Sequence, residues 1–144
     1  MEKIRILFKL TVEDEFPPVS SELLYGEITS DWRAKIDNTP FFAEGIAIGD
    51  VVTFKKNIDG IMEFEEIYDI SGNKSISVLF IDEDIIETVY QTVKGMGHYI
   101  EYGEFPKYKM IAVSVTKDGD LEELSSYLSE LENCGSVSYA ELCI

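Results

Sequence analysis

The residues in this chain best suited to chemistry are carboxylates. The pair that frames its most unusual stretch is Asp37 and Asp50, in DNTPFFAEGIAIGDVV. Two carboxylates in a shared, partly desolvated cleft can divide the roles of general acid and general base. Both also have a structural use, and that reading is the stronger. Asp37 opens an Asp-Asn-x-Pro turn, where an aspartate side chain accepts from nearby backbone N–H groups. Asp50 follows Gly49 at a tight turn that leads into a strand. Nucleophilic catalysis needs a base beside Ser or Cys, but the chain has one histidine, His98, and no Gly-x-Ser-x-Gly elbow. His98, Cys134 and Cys143 are too scattered for a zinc site. The run Asp82-Glu83-Asp84 lacks EF-hand spacing and suits the N-terminus of a helix, whose dipole favours acidic residues. The phosphate-binding glycine patterns are absent. No catalytic residue, metal or cofactor is therefore expected. The candidates for binding a ligand or partner are Asp37, Asn38, Phe42 and Asp50. To these are added Tyr99 and Tyr102, which fall with Phe105 and Tyr108 around a hairpin and would form an interface patch if exposed.

The elements that must position these residues are legible from periodicity. Ile4, Ile6, Phe8, Leu10 and Val12 alternate with charged or polar residues, which predicts a half-buried strand over 3–12. Strands follow at 22–29, 32–36, 49–57 and 61–70, the last with Met62, Phe64, Tyr68 and Ile70 on one face. Short strands joined by tight turns predict a bent antiparallel sheet or small barrel over residues 1–72. In such a barrel most of Tyr25, Trp32, Phe41, Phe42 and Phe54 belong in the core, with one or two at the rim. After the polar break SGNK the pattern changes. SISVLFI reads as a central strand, and a helix over 84–95 is capped by Asp84 with Glu87 three residues on. A hairpin (98–105 and 109–116), a second helix capped by Asp120, and a closing strand complete residues 73–144. The fold class expected is therefore α+β, a small β-barrel-like lobe followed by a ferredoxin-like βαββαβ lobe.

Composition narrows the classes of function. The 144 residues include 28 acidic and 12 basic, for a net charge of -16. That surface repels phosphate backbones and anionic membranes, so neither nucleic acid nor membrane is an expected partner; a basic protein is. The N-terminal segment has no secretory core, and no apolar run approaches a membrane span. With two unpaired cysteines, the expected location is the cytoplasm.

The segment IDNTPFFAEGIAIGDVV, followed by SGNKSISVLF, resembles a bacterial family catalogued as domain of unknown function 4265. The likeness is carried by Asp37-Asn38, Pro40-Phe41-Phe42, Ala47 and Gly49-Asp50-Val51-Val52, with the Ser-Gly-Asn break after them. It implies an N-terminal strand, then helix, hairpin, helix and final strand, and it brings no known activity or catalytic residue. Small bacterial families of this kind often lie beside toxin genes as immunity proteins. Three functions stand as expectations. The first is a non-enzymatic, acidic protein-binding module such as an inhibitor of a basic toxin. The second is a small-molecule-binding regulatory module, and the third a carboxylate-dependent enzyme with its site between the lobes.

Overall fold

Alternation in KIRILFK makes β1 (Lys3–Lys9), with Ile6 and Phe8 buried and Lys3, Arg5 and Lys9 facing out. The computed structural model describes residues 2–144, which form nine strands and two α-helices. β1 pairs with β2 (Ser21–Ser30), and β3 (Arg33–Ile36), β4 (Val51–Lys56) and β5 (Met62–Asp69) follow as antiparallel neighbours. A parallel pairing of Leu7 with Glu63 returns β5 to β1 and closes the barrel. Its core is Ile6, Phe8, Leu24, Ala34, Ile36, Val52 and Phe54. Ala43 and Ile46, from the irregular connection between β3 and β4, pack into the same core. Each such large aliphatic or aromatic side chain contributes about 1.5–3 kcal/mol by leaving water.

The second sheet holds β6 (Lys74–Phe80), β7 (Tyr99–Glu104), β8 (Lys109–Val115) and β9 (Val137–Cys143) in the order β7-β8-β6-β9, antiparallel throughout. The apolar strand SISVLFI is central, as its composition requires. Helices α1 (Ile86–Gly95) and α2 (Leu121–Asn133) cover one face. On that face lie Ile76, Val78, Phe80, Ile111, Val113 and Val115, against Val89 and Val93 of α1 and Leu124 and Leu128 of α2. By strand alternation the opposite face carries Ser75, Ser77, Ala112, Ser114, Ser138 and Ala140. This sheet is therefore built with large side chains toward its helices and mostly small ones away from them, Leu79 and Met110 being the exceptions.

Several details depart from expectation. β1 ends at Lys9, and Val12 is exposed. The first helix is capped by Asp82, whose side chain accepts from the Asp84 N–H at 3.0 Å; a 3-10 turn (Glu83–Ile85) then precedes α1, so Asp84 and Glu87 form no capping box. Asp120 does cap α2, accepting from the Glu123 N–H at 2.9 Å. Tyr68 in β5 and Ile70 just beyond its end are exposed and do not share a buried face with Met62 and Phe64. Of the two register shifts in the β4–β5 pairing, the one at Thr53/Phe54 swaps the faces so that Ile67 stands opposite Val52, and the one at Val51/Val52 passes over Tyr68. Among the barrel aromatics Phe42 and Phe54 are buried, while Tyr25 and Trp32 lie outside.

The barrel and sheet meet through residues 37–50, which approach Gly103 on β7 closely. A Cβ built there lies 2.9 Å from Phe41 Cζ and 3.1 Å from Phe105 Cε2. Gly103→Val is expected to lower stability by about 1–3 kcal/mol. Gly95→Ala, at the end of α1 with open space around it, is expected to be neutral or stabilising by about 0.5–1 kcal/mol. Urea denaturation of both variants checks this; wild-type stability for Gly103→Val would contradict the close seating of Phe41 on β7.

Candidate functional site

Residues 37–50 have no regular secondary structure, yet much of the segment is buried between the two sheets. Its backbone groups must therefore find partners inside the protein. Carboxylates supply many of them. Glu101 on β7 accepts from the Thr39 N–H at 3.0 Å. Glu22 on β2 accepts from the N–H groups of Phe41 at 2.7 Å, Phe42 at 3.1 Å and Ala43 at 2.9 Å. Pro40, between them, has no N–H to satisfy. Every backbone donor from Thr39 to Ala43 is thus bound by an acid, one on the sheet and one on the barrel. Burial raises the Glu22 carboxyl above its ordinary range; the three N–H bonds pull it down, and nearby Glu101 adds a smaller upward push. Desolvation outweighs hydrogen bonding here.

Further along, Asp50 is 1% exposed. Its Oδ2 accepts from the Ala47 N–H at 3.0 Å, and its Oδ1 accepts from the Ser71 N–H and Oγ–H, both at 2.8 Å. Ser71 Oγ accepts in turn from the Asn73 N–H at 3.1 Å. Asn73 donates through Nδ2 to the Ile48 carbonyl at 2.8 Å and accepts from the Lys117 N–H at 3.1 Å. Ser75 Oγ donates to the Ile46 carbonyl at 2.6 Å, and the Gly45 N–H donates to the Leu142 carbonyl at 2.8 Å. Gly49 makes the turn possible. Its φ is +90°, and a Cβ there meets Ser71 Cβ at 3.1 Å. The Gly-Asp and Ser-Gly-Asn motifs are two halves of one network.

The roles of Asp37 and Asn38 are the reverse of the turn reading. Asn38 is the backbone acceptor, taking the Tyr25 N–H at 2.7 Å. Asp37 reaches outward and pairs with Lys3 Nζ at 2.7 Å on the surface. This cation, on the outer face of β1, competes successfully for a side chain expected to cap its own turn.

Five aromatic rings tie the pieces together. Phe42 packs edge-on against Phe16 at 5.9 Å and Phe105 at 4.9 Å between ring centres, and Phe41 meets Phe105 at 5.2 Å. Phe16 also contacts Tyr108 at 5.7 Å. Phe16 comes from the loop after β1, and Phe105 and Tyr108 from the β7–β8 hairpin, so the cluster joins barrel and sheet. Tyr99 and Tyr102 stay exposed on opposite faces of β7. Burial, with Glu101 beside it, raises the Tyr99 hydroxyl, and Tyr102 donates to Glu104 at 2.9 Å. Asp37, Asn38, Phe42 and Asp50 therefore all belong to the segment between the sheets, whereas Tyr102 lies on the far side of its strand.

Beside this segment opens a cleft of about 800 Å³. Phe8 and Phe64, stacked at 4.7 Å, and Phe42 form its barrel side; Leu79, Met110 and Leu142 form its sheet side. Ser77 also lines it. This side chain is 5% exposed, and its Oγ has no hydrogen-bond partner among the described residues. Of the six residues singled out from sequence, Phe42 alone lines the cleft. The signal missed was the alternation of Ser75 and Ser77 with Ile76 and Val78, which marks a face left open for something other than a helix. His98 lies elsewhere, and burial lowers its imidazole below the ordinary value against the opposing pull of Glu123 and Asp120. Among the described residues no three His, Cys, Asp or Glu side chains converge to hold a metal, and no helix is long and apolar enough to cross a membrane. Cys134 and Cys143 are free thiols.

These features define an α+β protein in which an irregular segment is clamped between a barrel and a helix-backed sheet, with a cleft alongside. Residues 22–139 match the family described as Domain of unknown function (DUF4265), and the chain belongs to that family. Among solved structures it is similar to one described as a novel crystal structure of a hypothetical protein from Neisseria gonorrhoeae, at TM-score 0.77 and 21% identity, covering 98% of this chain and 93% of that one. That likeness is one of fold. No curated protein matches the chain.

The network makes a sharp distinction between acids. Asp50→Asn turns an amide NH₂ toward a backbone N–H and is expected to cost about 2–4 kcal/mol. Glu22→Ala strands three N–H groups and falls in the same range, about 2–4 kcal/mol. Asp37→Asn, on the surface, is expected to leave stability unchanged. Denaturation followed by circular dichroism checks all three; an Asp50→Asn protein as stable as wild type would remove Asp50 from its structural role.

Proposed function

We propose that this protein is a non-enzymatic binding module that holds a small molecule in the cleft between barrel and sheet. One observation carries the reading: a space of about 800 Å³ walled by aromatic and aliphatic side chains, with Ser77, whose hydroxyl is buried and unpaired among the described residues, in its lining. Small-molecule sites are mostly apolar clefts of roughly 300–1,000 Å³ with a few placed polar groups. The ferredoxin-like reading of the second half fits this use. It is supported by the order β7-β8-β6-β9 with both helices on one face, and such units can take ligands on the open face, an analogy of fold only. The carboxylate-enzyme reading draws no support from Asp37 and Asp50, since one pairs with a surface lysine and the other is fully engaged by Ala47 and Ser71.

A second reading, an acidic module that binds a basic protein such as a toxin, is favoured by the net charge of -16. Acidic surfaces steer basic partners, and the resulting binding weakens with salt. The two readings separate in one comparison. Ala140 is exposed on the rim of the cleft, so Ala140→Phe places a ring across part of the cleft without disturbing a packed core. A metabolite screened by thermal shift is expected to stabilise the wild type by about 2.7 kcal/mol at a hundredfold excess over its dissociation constant, and to have little effect on Ala140→Phe. A flat screen on the wild type, together with salt-sensitive capture of a basic protein by both forms, would replace the first reading with the second.

A further inference from the structure

The rim and floor of the cleft differ in what they can bind. The rim carries Glu13, Asp14 and Glu44, all exposed, and one cation, Lys9, whose ammonium already lies 3.5 Å from the Glu63 carboxylate. The walls are apolar rings and aliphatic chains. On the floor, Ser77 is held by the central strand β6, with neighbours Ile76 and Val78 turned to the helices, so its side chain lies on the cleft side of the sheet with its Oγ buried just beneath the surface. Its neighbour on the same face, Ser75, has its hydroxyl satisfied by the Ile46 carbonyl. Ser77 has no such partner among the described residues. A buried hydroxyl left unpaired is destabilising unless something bonds to it, and a ligand polar atom becomes that partner once the Ser77 side chain turns to a staggered rotamer that opens onto the cleft.

From this arrangement we infer that the ligand is an aromatic or similarly flat amine: an apolar body against Phe8, Phe42 and Phe64, a hydrogen-bonding group on Ser77 Oγ, and a cationic group at the acidic rim. Anionic ligands such as carboxylates and phosphates are disfavoured by three rim carboxylates against one paired lysine, on a protein of net charge -16. This inference rests on the reading of the cleft as a ligand site and adds the charge and polarity of what fills it.

The test uses three probes with the same ring: tyramine, phenethylamine and 4-hydroxyphenylacetate. Binding is followed by NMR of ¹³C-labelled methyl groups, with Met110, Leu79 and Leu142 reporting on the cleft. Tyramine is expected to bind about tenfold more tightly than 4-hydroxyphenylacetate at low salt, with the gap narrowing in 0.5 M NaCl. Tyramine is also expected to exceed phenethylamine several-fold, and Ser77→Ala is expected to erase that difference while leaving the unliganded protein at least as stable as wild type. If the carboxylate binds as tightly as the amine, the charge inference is overturned and the cleft site stands. If Ser77→Ala leaves the tyramine preference intact, the hydroxyl is not the ligand's partner. If no probe moves the cleft methyl groups, the ligand-site reading fails and this inference fails with it.

Discussion

The rest of this structure depends on one requirement: the backbone of an irregular segment buried between two sheets must be hydrogen-bonded without the help of a ladder. Residues 37–50 cannot pair as a strand with either sheet and stay where they are. The N–H groups of Thr39, Phe41, Phe42, Ala43 and Ala47 are bound by side-chain carboxylates, Glu101 from the sheet, Glu22 from the barrel and Asp50 from within the segment, while those of Asp37, Gly45, Gly49 and Asp50 reach single backbone carbonyls. Removing an acceptor from a buried donor costs more than the average hydrogen bond contributes. The acids thus tie the segment to both barrel and sheet, and the phenylalanines pack around the same path. Pro40 fits at the one position in the run where no donor is wanted.

A second consequence follows from side-chain size. The sheet turns Ile, Val and Phe toward its helices and, apart from Leu79 and Met110, mainly Ser, Ala and Gly away from them. Small residues on the far face let the backbone of the connecting segment approach closely, as the contacts of Gly103 with Phe41 and of Ser75 with Ile46 show. Where the segment runs past the sheet without covering it, the same small residues leave an open space, and the barrel rings Phe8 and Phe64 close its other side. Clamp and cleft are two outcomes of one alternating pattern. The charge of the chain is divided in the same way: a few acids are spent internally on backbone donors, and the remainder give the surface, including the rim of the cleft, its sign.

Local rules were most legible where the interaction they describe is local. Asp120 caps its helix through the N–H three residues on, as its spacing indicates. The rule failed at Asp84 because Asp82, two residues earlier, reaches the first free N–H and starts a 3-10 turn ahead of the helix. Asp37 and Asn38 show the limit plainly. Either can cap a turn, and the choice between them was made by Lys3, which lies far away in sequence but adjacent in the barrel. In β5 the period-2 pattern was right for Met62 and Phe64 only, since the shifted register with β4 leaves Tyr68 unpaired and Ile70 falls beyond the strand's end.

By itself the amino-acid sequence determined the strands and helices, the α+β class, the family marks and the excess of negative charge, because these depend on propensity, periodicity and composition within short windows. The tertiary structure alone decided that Asp50, Ser71 and Asn73 form one network, that Glu22 and Glu101 bind a segment neither adjoins in sequence, and that Phe42 and Ser77 face the same cleft. Those are contacts between residues tens of positions apart, and no pattern within a single strand encodes which of its two faces another part of the chain will meet. DNTPFFAEGIAIGDVV is therefore conspicuous in the sequence for its unusual residues, and its role as a clamp becomes visible only when both sheets are in place around it.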